Sequence, residues 1–314
     1  MPDKKSRPLR HISPESSAAK AKAWYIVAAL LLIGSLVALL LPFTMQAVSQ
    51  WRQTHAAHDA TSQVALWPQG KVADEYDAAQ RYNAQLAAKP QNVLGEAPDP
   101  FTGSGGKAKS QSETNKTYQR LLDTGGGIMG SVVIPKISVD LPIYHGTSDA
   151  VLAQGAGHLY GTSLPVGGAS THAVLTGHRG LPNALLFTRL DEMHKGDVFY
   201  IKVLGTTLAY KVDQITVVSP DNAKGDLKIV PGEDRVTLMT CTPYGVNTMR
   251  LLVSGERAAI PGQAPPLDDA PKDLTLLWTA MGSLVALGVA ATAIVRWLRS
   301  SPAAGRHSTR VFRQ

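Results

Sequence analysis

Two charge-free apolar stretches, one near each end, confine everything between them to one side of a bilayer. The first runs from about Trp24 to Met45 and the second from about Leu274 to Val295. Each is close to the roughly 20 apolar residues needed to cross a hydrocarbon core. The expected spans are 23–45 and 274–295. For the first, the alternative is a cleaved signal peptide. Its apolar core exceeds the about 7–15 residues typical of such a peptide, although Ala47-Val-Ser49 offers a weak cleavage site, so the span is read as retained. For the second, the alternative is a buried core helix. Its terminal position and the flanking Trp278, Trp297 and arginines argue for a span.

Charge orients the pair. Residues 1–22 carry Lys4, Lys5, Arg7, Arg10, Lys20 and Lys22 against Asp3 and Glu15, and the tail 296–314 carries Arg296, Arg299, Arg306, Arg310 and Arg313 without an acid. Positive flanks stay in the cytoplasm. Both termini are therefore expected inside the cell membrane and the middle of the chain outside. The two tails hold 11 of the 31 Lys and Arg but only 2 of the 24 Asp and Glu, which leaves the middle at a net charge of −2. The formal +7 of the whole chain is thus a topology signal. The central segment has no basic patch to meet phosphates, which argues against a nucleic-acid partner.

Between the spans the texture changes twice. Ala73–Lys89 is rich in Ala, Glu, Gln and Leu and predicts a helix ending at Pro90. Residues 91–116 turn to Gly, Ser, Pro, Asn and Lys, a loop of unusual length. From Gly130 short Val/Ile/Thr-rich runs predict strands at 131–134, 141–144, 171–176, 197–204, 207–218, 235–240 and 250–256. Leu204-Gly-Thr206 reads as a hairpin turn. Short helices are expected at 151–155 and 183–192. Many short strands with few helices predict a mainly β domain, a closed barrel or a sandwich. The Pro/Ala/Asp-rich stretch 258–273 reads as a linker.

Cys241 is the chain's single cysteine, so an internal disulfide is impossible. A buried small hydrophobe, an inert thiol and a nucleophile remain. His178 and Cys241 each end a β run next to turn residues, and Arg250 begins the next strand after eight connecting residues. A hairpin there would bring Arg250 beside Cys241. Thiolate, imidazole and guanidinium together suit acyl transfer. The thiolate attacks a carbonyl, the cation meets the developing oxyanion, and the imidazole moves the proton.

Thr237-Leu-Met-Thr-Cys241 followed by Arg250, with Leu175-Thr-Gly-His178 upstream, resembles the signature of the sortases, extracytoplasmic cysteine transpeptidases of Gram-positive bacteria. Met129-Gly-Ser-Val-Val-Ile-Pro-Lys136, Leu141-Pro-Ile-Tyr-His-Gly146 and Gly157-His-Leu-Tyr-Gly-Thr-Ser-Leu-Pro-Val-Gly-Gly168 are similar to class C, the pilin-polymerising sortases. So are Thr176-Gly-His-Arg-Gly-Leu-Pro182 and Cys241-Thr-Pro-Tyr-Gly-Val-Asn247. The resemblance implies a closed sortase-type β-barrel of about eight strands over 118–257. A helical region with a lid loop (46–117) would precede it. Cys241 would be the nucleophile, His178 the general acid/base and Arg250 the oxyanion partner. Thr240 and Thr176 are candidates for the substrate groove. Asp99, Pro100 and Phe101 match the family's Asp-Pro-aromatic lid, with Asp99 expected on Arg250 and Phe101 over Cys241; a plain turn is the alternative. The partners implied are pilin subunits with an LPxTG-like sorting signal and an acceptor lysine, and no metal or organic cofactor. The rivals are a housekeeping sortase acting on cell-wall peptide, a cysteine protease, and a catalytically silent assembly scaffold.

Overall fold

The computed structural model describes residues 14–89, 110–260 and 275–300. Asp99, Pro100 and Phe101, the linker from 261 on and both extreme tails lie outside the described residues. In chain order the elements begin with α1 (Pro14–Ala65), α2 (Gln69–Ala87), α3 (Gln111–Thr114) and α4 (Lys116–Arg120). They continue with β1 (Ile128–Ile134), β2 (Val139–His145), α5 (Asp149–Leu152), β3 (Ala156–His158), β4 (Thr171–Thr176), β5 (Val198–Val203) and β6 (Thr206–Val218). The last are α6 (Ala223–Asp226), β7 (Asp234–Thr242), β8 (Met249–Ala258) and α7 (Thr275–Ser300). The chain forms two compact units, Phe43–Lys272 and a second made of Met1–Pro42 with Asp273–Gln314.

Helix α1 carries the first apolar stretch and continues past it to Ala65, with Pro42 inside the helix. Trp24 and Leu31 are 73% and 69% exposed, a density of bare apolar surface that suits lipid rather than water. Among the described residues α1 is the one helix long and apolar enough to cross a membrane, and the apolar run of α7, Met281–Ala293, is shorter.

The larger unit is built on a closed barrel with strand order β1-β2-β3-β4-β7-β8-β6-β5. Closure resolves the choice between barrel and sandwich, and it removes the free edges that an open sheet would expose. Seven strands fall where the sequence predicts them. The eighth, β3, is three residues centred on Gly157, too short to show an alternation. The expected helix at 183–192 is instead a series of turns ending in a single 3-10 turn, Leu190–Glu192. The β5–β6 hairpin turns through Leu204 and Gly205 with φ of 47° and 75°. Positive φ at both central residues is the tight-turn geometry that matches strand twist.

Helix α2 is fastened to the barrel rather than merely adjacent to it. Its Ala79 shares the main core with the strands and Leu164, as does Val64 at the end of α1. The Asn83 side chain accepts from the Leu164 N–H at 2.7 Å and donates to the Leu164 carbonyl at 3.0 Å. It thereby satisfies both groups of a buried backbone unit, as a neighbouring strand would.

A second polar chain crosses three strands. His172 Nδ1 lies 2.8 Å from the Lys228 carbonyl and Nε2 lies 2.7 Å from Thr237 Oγ1, which is 2.6 Å from Ser254 Oγ. A carbonyl only accepts, so Nδ1 carries the proton and Nε2 accepts from Thr237, which in turn accepts from Ser254. Every group is satisfied with His172 neutral, and burial pushes its pKa down in agreement. Thr237→Val is expected to orphan Nε2 and the Ser254 hydroxyl and cost about 1–3 kcal/mol. Urea unfolding of the variant checks this, and an unchanged midpoint would refute it.

Candidate active site

The site is assembled by the register of three neighbouring strands. β4 pairs parallel with β7, with Thr176 opposite Met239, and β7 pairs antiparallel with β8, with Cys241 opposite Arg250. β4 ends at Thr176, and Gly177 after it is tied to β7 by its N–H to the Met239 carbonyl and by its carbonyl to the Thr240 hydroxyl, which leaves His178 next to the end of the Cys241 strand. Directly opposed residues of an antiparallel pair project to one face of the sheet, their Cβ atoms about 4.5–5.5 Å apart. The three residues singled out by sequence are thus brought to one end of the sheet.

Alternation identifies that face. Val236 and Leu238 belong to the main barrel core, whereas Met239 packs with Leu159, Val174, Ala223, Leu227 and Leu252 in a separate cluster on the other side of the sheet. Cys241 has the parity of Met239, so it stands on the outer face near the end of β7, not inside the barrel. Thr240 has the opposite parity and faces inward. It is fully buried, and its hydroxyl donates to the Gly177 carbonyl at 2.7 Å. Thr176 shares the outer face but is also fully buried, its hydroxyl donating to the Gly157 carbonyl at 3.0 Å. Neither threonine presents a surface to a substrate. Both hold neighbouring strands together through these hydroxyls.

The two threonines of Thr237-Leu-Met-Thr-Cys241 therefore have the same task. Thr237 stitches β7 to β4 through His172, and Thr240 stitches it again immediately before His178. Gly177 completes the join, donating its N–H to the Met239 carbonyl at 3.0 Å. A Cβ at Gly177 would lie 2.6 Å from Phe187 Cδ2, so only glycine lets the Phe187 ring close against the backbone. Phe187 in turn donates its N–H to the His178 carbonyl at 3.1 Å. The turns after His178 are thus folded back onto it.

Arg250 is 3% exposed, and its Nη1 donates to the carbonyls of Asn247 at 3.0 Å and Met249 at 2.8 Å. These contacts fix the guanidinium at the head of β8. Burial lowers its pKa without approaching neutrality. Cys241 is 4% exposed, and burial pushes its thiol up to about 12, opposed by the charge of Arg179. His178 is partly buried and held below its ordinary value by desolvation, with Asp149 of α5 acting in the opposite direction. Both shifts, caused by desolvation, favour the uncharged forms of the thiol and the imidazole.

Arg179 and Asp149 were not singled out from sequence as site residues. Arg179 lies inside Thr176-Gly-His-Arg-Gly-Leu-Pro182, next to the histidine, and that adjacency was the available signal. Asp149 stands 29 positions away from His178 in the chain, and only the fold brings it near.

The barrel and its cysteine, histidine and arginine can be set against known proteins. A sortase-domain family model matches residues 132–258. Among solved structures, sortase C1 of GBS pilus island 1 is 42% identical with a TM-score of 0.58, covering 68% of this chain and 96% of that one. The sortase C-1 of Actinomyces oris is 48% identical with a TM-score of 0.54, covering 61% and 99%. The sortase A of Streptococcus agalactiae is 29% identical over 132 residues, 41% of this chain and 52% of that protein. The chain belongs to the sortase family, and the solved structures it resembles are class C sortases. It spans about half the length of the sortase A relative.

Two outcomes are expected. Gly177→Ala should displace Phe187 and the His178 turn, lowering turnover on the order of 10–100-fold, since a catalytic group moved by about 1 Å costs that much. Wild-type turnover in a folded variant would refute it. Alkylation of Cys241 by iodoacetamide should still be rising above pH 9, where an ordinary thiol of pKa about 8.5 has largely ionised. A plateau below pH 8 would show a thiolate at rest.

Proposed function

We propose that the protein is a membrane-anchored cysteine transpeptidase that joins pilin subunits through an LPxTG-like sorting signal. The observation that supports this is the pairing of Cys241 with Arg250 beside the strand that ends just before His178, on a barrel whose named solved relatives are sortases C, one of them described by its pilin substrate specificity.

In this reading the reaction starts from the neutral pair. His178 takes the Cys241 proton as sulfur attacks the threonine carbonyl of the signal, and Arg250 meets the oxyanion. Collapse breaks the Thr–Gly bond, His178 gives its proton to the departing glycine amine, and a thioester remains on Cys241. A lysine amine of a second subunit attacks the thioester, His178 takes its proton, and Cys241 leaves. An isopeptide bond joins the subunits, and the proton returns to the thiol. No external reductant or oxidant is involved.

The apolar first stretch of α1, and a second span at 274–295, would hold the enzyme beside membrane-tethered subunits and raise their effective concentration. Both termini would lie in the cytoplasm, with the catalytic barrel outside. Asp99, Pro100 and Phe101 are read as a lid over the site on the strength of sequence resemblance.

The curated sortase A relatives favour a second reading, attachment of surface proteins to a cell-wall peptide amine. The higher identity to sortases C, 42% and 48% against 29%, supports the pilin reading. The full chain is to be offered a signal peptide together with a pilin lysine or a cell-wall peptide. Ligation to lysine, with a Cys241 thioester seen by intact mass and lost in Cys241→Ala, is expected. Preference for the cell-wall peptide would select the second reading, and hydrolysis alone would leave a protease. Arg250→Ala should lower turnover by about 10²–10³-fold, as removing an oxyanion donor does.

A further inference from the structure

We propose that Arg179 is a positioning residue of the site: its guanidinium ties the turn after His178 to the end of the Cys241 strand and supplies a fixed positive charge behind the sulfur. The inference rests on the transpeptidase reading of Cys241 and His178.

The geometry is a bracket around the catalytic pair. Thr240, just before Cys241, donates to the carbonyl of Gly177, just before His178. Arg179, just after His178, donates from Nη1 to the hydroxyl of Thr242, just after Cys241, at 3.0 Å. One cross-strand bond lies on each side of the pair, so neither the histidine nor the cysteine can slide along its strand without breaking one. The second arm of the guanidinium forms an ion pair with Asp191, which anchors the far end of the same turn. Its carbon lies 5.9 Å from the centroid of the Tyr244 ring in the β7–β8 connection.

The Arg179 side chain is only 7% exposed, while its partner Asp191 is 50% exposed. The cation is thus desolvated while the carboxylate it touches is half exposed, where solvent weakens the pairing. Arg179 Nε is buried with no hydrogen-bond partner. A side chain that strands one of its own donors is poorly explained as a structural brace alone. It is accounted for if the under-neutralised charge is useful to a sulfur that must become anionic during each half-reaction. Among the described residues, Arg250 from β8 also stands opposite Cys241, and Asp149 from α5 acts on His178. Arg250 is committed to the carbonyls at the head of β8, so the two arginines occupy different positions around the thiol.

The test separates the bond from the charge in the full-length chain in detergent micelles. Arg179→Gln removes both, Arg179→Lys keeps the charge but loses the fork, and Thr242→Val removes the bond and keeps the charge. Two quantities are read for each: the rate of Cys241 alkylation at a fixed pH of about 9, and kcat and KM for thioester formation. Arg179→Gln should lower the alkylation rate by about tenfold or more, as a thiol pKa raised by about one unit when an adjacent opposite charge is removed requires, and lower kcat on the order of 10–100-fold with little change in KM. Arg179→Lys should restore the alkylation rate but not kcat. Thr242→Val should lower kcat and leave the alkylation rate alone. Equal alkylation rates for wild type and Arg179→Gln would overturn the charge role, and wild-type kcat in Thr242→Val would overturn the bracket. Alkylation reports on Arg179 even if the chain transfers no peptide, so failure of the transpeptidase reading shows separately.

Discussion

The parallel pairing of β4 with β7 is the constraint on which the site depends. Parallel neighbours cannot be joined by a tight turn. The chain from Gly177 to Glu233 must therefore leave the sheet, build β5 and β6 elsewhere in the barrel, and return. That detour separates His178 from Cys241 in sequence and joins them in space. Parallel pairing is also slightly less stable per residue than antiparallel pairing, and here side chains reinforce it. His172–Thr237 and Thr240–Gly177 add buried hydrogen bonds between the same two strands. A one-residue slip would break both and turn Cys241 into the barrel.

This accounts physically for a signature that otherwise reads as a string. In Thr237-Leu-Met-Thr-Cys241 the leucine fills the barrel, the methionine fills the small outer core, and the threonines hold β4. Only the cysteine is left for chemistry. Gly177 follows the same logic on the other strand, since the missing side chain is what admits Phe187 and folds the turn back upon His178.

Most of the barrel was legible from the sequence because its strands are long enough to show period-two patterning between Gly, Pro and Asp boundaries. β3 was not, being three residues around a glycine. The turns at 183–192 read as a helix from composition, yet the contacts of Phe187 and the Arg179–Asp191 pair impose a different path. Helix α1 runs on from the apolar stretch to Ala65, because nothing after that stretch stops a helix until Trp67-Pro68. The pairing of Cys241 with Arg250 was legible because a hairpin across eight residues is a local signal. The inward orientation of Thr240 was missed although period two was available. Arg179 was quoted within a motif and passed over, because its role arises from a bond to Thr242 that no local pattern contains.

Burial and reactivity pull in opposite directions at this site, and the bracket reconciles them. A thiol pushed up to about 12 is protected from adventitious oxidation, because thiolate is the species that oxidises. The same shift would disable it as a nucleophile if ionisation had to precede attack. Ionisation coupled to attack avoids that cost, provided the imidazole and the cations are already in place when the carbonyl arrives. The low-dielectric surroundings that raise the resting pKa also strengthen the attraction between Arg179, Arg250 and the charge that forms. Such preorganisation requires rigid supports, and the supports are the strand-end hydrogen bonds on either side of the pair. A sortase barrel with those bonds loosened would keep its three reactive side chains and lose the fixed geometry through which they act together.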